Sequence, residues 1–187
     1  MIRHYSLIAA LLFSSMLIAA PQSRHSHSDK YLAPEQEAHL HGTAQLTLAL
    51  EGNSLEINLE SPAANIVGFE HKATSEKHIK AVEKAKVHLE SSALFLFSGC
   101  DCSLKQAKVD MSSVSKQSSH DHRDHDSHSE IRANYSYNCS MGEKLETVSV
   151  NLISLFPQIE TLKVMWITDS RQGATELTAK SNLIRMR

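Results

Sequence analysis

The sequence predicts an α+β fold, a mostly antiparallel β-sheet or sandwich of about seven strands with one principal helix. Three observations predict it. Leu46, Leu48 and Leu50 alternate with polar residues before Gly52-Asn53, and Leu55, Ile57 and Leu59 do so after it. Ile131, Ala133, Tyr135, Tyr137 and Cys139 alternate without a break, whereas only Ile79, Val82, Ala85 and Leu89 recur at helical spacings of three and four.

The chain opens with positive charge at Met1-Ile2-Arg3-His4 and an apolar run from Leu7 to Ala20, broken only by Ser14 and Ser15. That run is shorter than the span of about 20 apolar residues a bilayer needs, so residues 1–20 are expected to be a secretory signal peptide, cut between 19 and 24. The protein is then expected in the periplasm, with no stable membrane insertion. Residues 21–38 carry Ser, His, Gln and Pro with no apolar period and read as a flexible polar leader. Residues 39–187 form one domain, which suits a chain of 187 residues.

Gly52-Asn53 is a two-residue hairpin turn, and pairing residues whose numbers sum to 105 sets Leu50 opposite Leu55, Leu48 opposite Ile57 and Leu46 opposite Leu59. A loop follows Pro62 through Gly68-Phe69-Glu70-His71. Thr74 or Ser75 then caps the helix, whose outer face is Glu, Lys and His. Ala93 to Phe97 is apolar but has no period that assigns it. Cys102 to Met111 and Ile131 to Cys139 pair as a hairpin with a long loop, residues 112–129. Val148, Val150 and Leu152, then Leu162, Val164 and Trp166, then the neighbourhood of Leu177 complete the strands.

In the long hairpin Cys102 faces Cys139 and Leu104 faces Tyr137, and one bulged residue near Gln106 brings Ala107, Val109 and Met111 opposite Tyr135, Ala133 and Ile131. An exported chain keeps its disulfides. A Cys102–Cys139 bridge would close a loop of about 38 residues and add on the order of 3 to 4 kcal/mol in the chain-entropy model. Cys100, one step further out on the same face, is the rival partner.

A net charge of -2, from 19 Lys and Arg against 21 Asp and Glu, gives no electrostatic footprint for nucleic acid or an anionic membrane. The anomaly is histidine, 12 residues in all, about three times its usual share. Four of them, His120, His122, His125 and His128, fall in a nine-residue tract interleaved with aspartates. Neutral imidazole is a good ligand for zinc, copper and nickel, and a short apolar-free tract can bring several rings to one ion. His39-Leu40-His41 offers two more rings, on one face if the first strand reaches back that far. His71 is placed to add a third. His25-Ser26-His27 with Asp29 repeats the theme in the leader. His78 and His88 are ten apart on the helix and read as solvent-facing, while Trp166, Phe95 and Phe97 read as core.

No Gly-x-Ser-x-Gly, P-loop, dinucleotide glycine pattern or His-Glu-x-x-His is present, so the protein is expected not to be an enzyme. The competing expectations are a zinc-dependent periplasmic hydrolase built on His39, His41 and His71, or a copper- or nickel-binding resistance protein. Scattered Met111, Met141 and Met165 do not favour copper.

Taken in order, His39-Leu40-His41-Gly42, Leu55-Glu56-Ile57-Asn58-Leu59-Glu60-Ser61-Pro62-Ala63-Ala64-Asn65 and Gly68-Phe69-Glu70-His71 make a specific set. Cys102-Ser103-Leu104, the His-rich tract, Tyr135-Ser136-Tyr137-Asn138-Cys139, Phe156-Pro157 and Trp166-Ile167 follow. The set resembles the zinc-regulated periplasmic proteins called ZrgA, over nearly all of the chain after the signal. The resemblance implies a periplasmic zinc-binding protein that assists a zinc-uptake ABC transporter, with Zn2+ as its ligand. It makes His39, His41 and His71 framework ligands, sets His128 at the opening of the following strand, and places His120, His122 and His125 in a variable loop. It also makes Cys102 and Cys139 the family's cysteine pair, with Cys100 a departure. Because imidazole must be neutral to coordinate, zinc affinity is expected to fall as pH drops through the histidine range near 6.5.

Overall fold

A computed structural model of the chain describes residues 40–115 and 129–186. The signal and leader segments, His39 and the tract from His120 to His128 lie outside the described residues. Among those described are nine strands and three helices. A six-stranded sheet is built from β1 (Thr43–Glu51), β2 (Ser54–Pro62), β4 (Asp101–Asp110), β5 (Glu130–Ser140), β7 (Thr161–Ile167) and β8 (Gln172–Leu177), in the order β4-β5-β2-β1-β7-β8. A three-stranded sheet holds β3 (Phe95–Ser98), β6 (Thr147–Val150) and β9 (Leu183–Arg185), in the order β3-β6-β9.

Alternation makes the large sheet one-sided. Leu46, Leu48, Leu55, Ile57, Leu59, Ile131, Ala133, Tyr135, Leu162 and Val164 are buried on one face. On the other, Ser136 donates to Glu56 at 2.7 Å, Arg132 sits 3.6 Å from Glu60, and Asn58 donates to Thr47 at 3.4 Å. The buried face is covered by the small sheet, whose Phe95 meets Tyr135 and Tyr137 edge-on at 5.1 and 6.4 Å while Phe97 meets Tyr137 at 4.8 Å. It is also covered by α2 (Glu76–Leu89), which buries Ala85 and Leu89 in the same core. Ser75 is its cap, accepting from the backbone N–H of His78, and Glu76 and Lys86 suit the two ends of the helix dipole.

The β1–β2 register is the predicted one, with Leu50 opposite Leu55, Leu48 opposite Ile57 and Leu46 opposite Leu59. The β4–β5 register is too: Cys102 faces Cys139, Leu104 faces Tyr137, and a shift between Leu104 and Gln106 restores Ala107 to Tyr135 and Val109 to Ala133. β4 ends at Asp110 opposite Arg132, so Met111 is not part of the ladder; it is buried in the turn that follows.

β1 pairs with β7 in parallel within a sheet whose other pairs are antiparallel, a long-range contact that periodicity alone cannot announce. Other expectations need correcting. Residues after Pro62 form α1 (Ala63–Val67), ended by Gly68 at φ 87, rather than a plain loop. Leu152 opens the short helix α3 (Leu152–Leu155) and is not a strand residue. Ala93 to Phe97 divides between a tight turn over Ser92–Leu94 and β3. Phe95 is core as expected, but Phe97 and Trp166 are only half-buried. Trp166 lies over Gly173, where a Cβ would come within 2.6 Å of the indole.

Candidate metal site

The start of β1 is tied to the end of β2 and to α1 through one buried side chain. Asn65 is 3% exposed; it accepts from the backbone N–H of Gly42 at 2.8 Å and donates to the Thr43 carbonyl at 2.9 Å and to Ser61 Oγ at 3.4 Å. Gly42 takes φ 83, and the Thr43 N–H returns to the Leu40 carbonyl at 3.0 Å, so residues 40–43 are a turn. This corrects the strand reading of His39-Leu40-His41, because the glycine breaks the alternation that would have put both rings on one face. What places His41 is the turn that Asn65 clamps.

From that turn His41 reaches Glu70, with Nε2 3.1 Å from Oε1. His71, the next residue after Glu70, has its Nδ1 3.0 Å from the Lys72 carbonyl. A carbonyl can only accept, so this bond puts the proton on Nδ1 and leaves the Nε2 lone pair for a metal. Phe69 stacks on both His71, at 4.9 Å, and His78, at 4.3 Å, and the two imidazole centroids are 5.0 Å apart.

His78 therefore is not solvent-facing. The first turn of α2 lies against the Phe69–His71 segment, and His78 Nδ1 is buried with no hydrogen-bond partner. A buried ring nitrogen without a partner costs on the order of 1–3 kcal/mol unless something supplies one. A cation beside His71 would do so. His88 is half-buried as well, edge-on to Phe156 at 6.3 Å. The signal for His78 was available in the sequence only as its position in the first turn, directly after the Gly68-Phe69-Glu70-His71 loop.

The ends of the segment carrying His120, His122, His125 and His128 are anchored beside these residues. On the near side the Ala73 N–H donates to the Val114 carbonyl at 2.8 Å and Lys72 Nζ to the Ser112 carbonyl at 2.5 Å. Asp110 accepts from the Ser112 N–H at 2.9 Å, and that bond, with Arg132 adding to it, holds its carboxyl below the usual range. On the far side Ser129, the residue after His128, donates to the Glu70 carbonyl at 2.7 Å, while its own carbonyl accepts from Ala63 at 2.7 Å. Ser113 joins the two sides by donating to the Glu130 carbonyl at 2.8 Å.

The donor set of two or more imidazoles and a carboxylate is the one zinc takes. Among the described residues it is arranged as a run of pairs, His41 with Glu70 and His71 with His78, rather than as a closed cage. The grouping of three donor atoms within 4.8 Å is Cys100, Cys102 and Cys139. Of these, Cys102 and Cys139 form a disulfide across β4 and β5, as expected, with Cα atoms 3.9 Å apart. The Cys139 N–H bonds to Asn53 on the opposite side, so the cysteines occupy a narrow pair of the β4–β5 ladder, where side chains approach most closely. Cys100 is free and half-buried.

The described residues form an α+β domain, a one-sided β-sheet layered with a helix, with an imidazole–carboxylate contact at the origin of the first strand. The chain belongs to the ZrgA family of zinc uptake proteins, whose family model matches residues 38–186. Compared with the curated proteins, the chain has no match. Among the described residues no helix is long and apolar enough to cross a membrane.

Proposed function

We propose that the protein captures Zn2+ in the periplasm and assists its import by an ABC-type zinc transporter, as a binding protein rather than a catalyst. The observation that carries this reading is the convergence at Glu70 and His71. His41 contacts Glu70, His78 contacts His71, and Ser129, at the exit of the His-rich segment, bonds to the Glu70 carbonyl. Membership of a zinc uptake family supports zinc over copper or nickel, and uptake over hydrolysis. In this reading His41, His71 and His78 with Glu70 form the framework site, and His39, two positions before His41 in the sequence, adds a further imidazole. His120, His122, His125 and His128 raise the local concentration of the ion and deliver it to the framework.

Calorimetric titration of the mature protein with zinc tests the assignment, beside a variant lacking residues 118–128 and one with His41, His71 and His78 changed to Ala. Tight binding is expected to survive the deletion and to be lost in the triple variant. Loss of tight binding on deletion alone would make the framework histidines structural.

A further inference from the structure

We infer that Cys100, Cys102 and Cys139 become, on reduction of the disulfide, a second metal site, a thiolate cluster for a soft divalent cation such as zinc. This site is separate from the imidazole group, because the nine residue steps of β5 from Cys139 to Glu130, beside Ser129, span roughly 30 Å at about 3.3 Å each.

Geometry carries the inference. Zinc binds thiolates at about 2.3 Å, which sets tetrahedral sulfur atoms about 3.8 Å apart. Cys100 Sγ already lies 3.6 Å from Cys102 Sγ, and the three sulfurs all fall within 4.8 Å of one another. Opening the disulfide moves Cys102 and Cys139 outward, towards the same spacing. The position of Cys100 is imposed by the backbone. Gly99 takes φ 91 against the Lys144 carbonyl, where a Cβ would sit 2.0 Å away, and the Glu146 N–H holds the Ser98 carbonyl at 2.9 Å. Cys139 is fully buried while Cys100 and Cys102 are half-buried, so the cluster is walled on one side and open on the other.

Three thiolates occupy three corners of a tetrahedral site, and a carboxylate or water would supply the fourth ligand. The chemistry balances in two steps. A dithiol reductant gives two electrons and two protons to the Cys102–Cys139 bond and closes to its own disulfide. The cation then displaces one proton from each of the three thiols.

The test uses the full mature chain, treated anaerobically with dithiothreitol, freed of it, and titrated with Co2+. One equivalent is expected to produce a sulfur-to-cobalt charge-transfer band, absent from the unreduced protein and still present when His41, His71 and His78 are all Ala. Cys100→Ser retains the native disulfide and should fold like the parent; after reduction its cobalt affinity is expected to drop at least tenfold. Circular dichroism on the reduced chain reports whether the sheet persists. No band in the reduced protein, folded or not, would overturn the inference. So would a band that needs the histidines, one that forms without reduction, or one indifferent to Cys100→Ser.

Discussion

His78 lies with its imidazole centroid 5.0 Å from that of His71, and its buried Nδ1 has no hydrogen-bond partner. The pair joins a helix to a loop across seven residues of sequence, with Phe69 as the shared stacking surface. The Lys72 carbonyl fixes the proton of His71 on Nδ1, which leaves its Nε2 unprotonated beside the His78 ring.

His78→Ala is accordingly expected to weaken zinc binding at least about tenfold, near 1.4 kcal/mol. His88→Ala, on the same helix but against Phe156, should leave affinity unchanged. Calorimetry on both variants decides it; equal effects, or none at His78, would remove His78 from the site.

Asn65→Ala should lower both stability and affinity. It leaves the Gly42 N–H and Thr43 carbonyl without their partner, at a cost of roughly 2–3 kcal/mol. The turn that aims His41 at Glu70 then loosens. Urea denaturation measures the first effect and zinc titration the second. An unaltered affinity in a folded Asn65→Ala protein would show that the turn does not position the ligand.

The double variant Cys102→Ala, Cys139→Ala removes the bridge without allowing Cys100 to take up a new one. A disulfide spanning 37 residues is worth about 4 kcal/mol in the chain-entropy model. Chemical denaturation should show a loss near that size. A loss below about 1 kcal/mol would mean that the β4–β5 ladder already constrains the unfolded chain.

Tyr135 and Tyr137 are buried among Phe95 and Phe97, and their hydroxyls have no hydrogen-bond partner. Tyr137→Phe should therefore stabilise the protein, by about 1 kcal/mol. Burial pushes the Tyr137 phenol up to about 12. The unfolded phenol releases its proton near 10, so above that pH the unfolded chain holds fewer protons than the folded one. Stability should be undiminished below pH 10 and fall as pH rises towards 12. In Tyr137→Phe that fall should shrink, as read from thermal melts across the alkaline range; an identical pH profile would refute it.

Registers were legible in the sequence wherever alternation and a turn coincide. The sum rule around Gly52-Asn53 placed three cross-strand pairs, and matching Cys102 to Cys139 located even the bulge before Gln106. The parallel pairing of β1 with β7 was not legible, because the two strands are far apart in sequence and each alternates equally well beside any neighbour. β9, with three residues, is too short to show a period. In the candidate site, residue types alone proposed His41 and His71 as donors. They could not identify Asn65 as the clamp or His78 as a neighbour, since the first role arises from α1 lying against the turn at Gly42 and the second from α2 lying against the Phe69–His71 segment.

Because Ala63 and Ala73 hold Ser129 and Val114 from outside the His-rich segment, the segment is spliced into the hairpin like an interchangeable cassette. Its closure cost rises only by about 0.6 kcal/mol for each doubling of length. Histidines can therefore be gained or lost there over generations with little effect on the sheet. Under the proposed function, metal capacity and fold stability are free to evolve at different speeds.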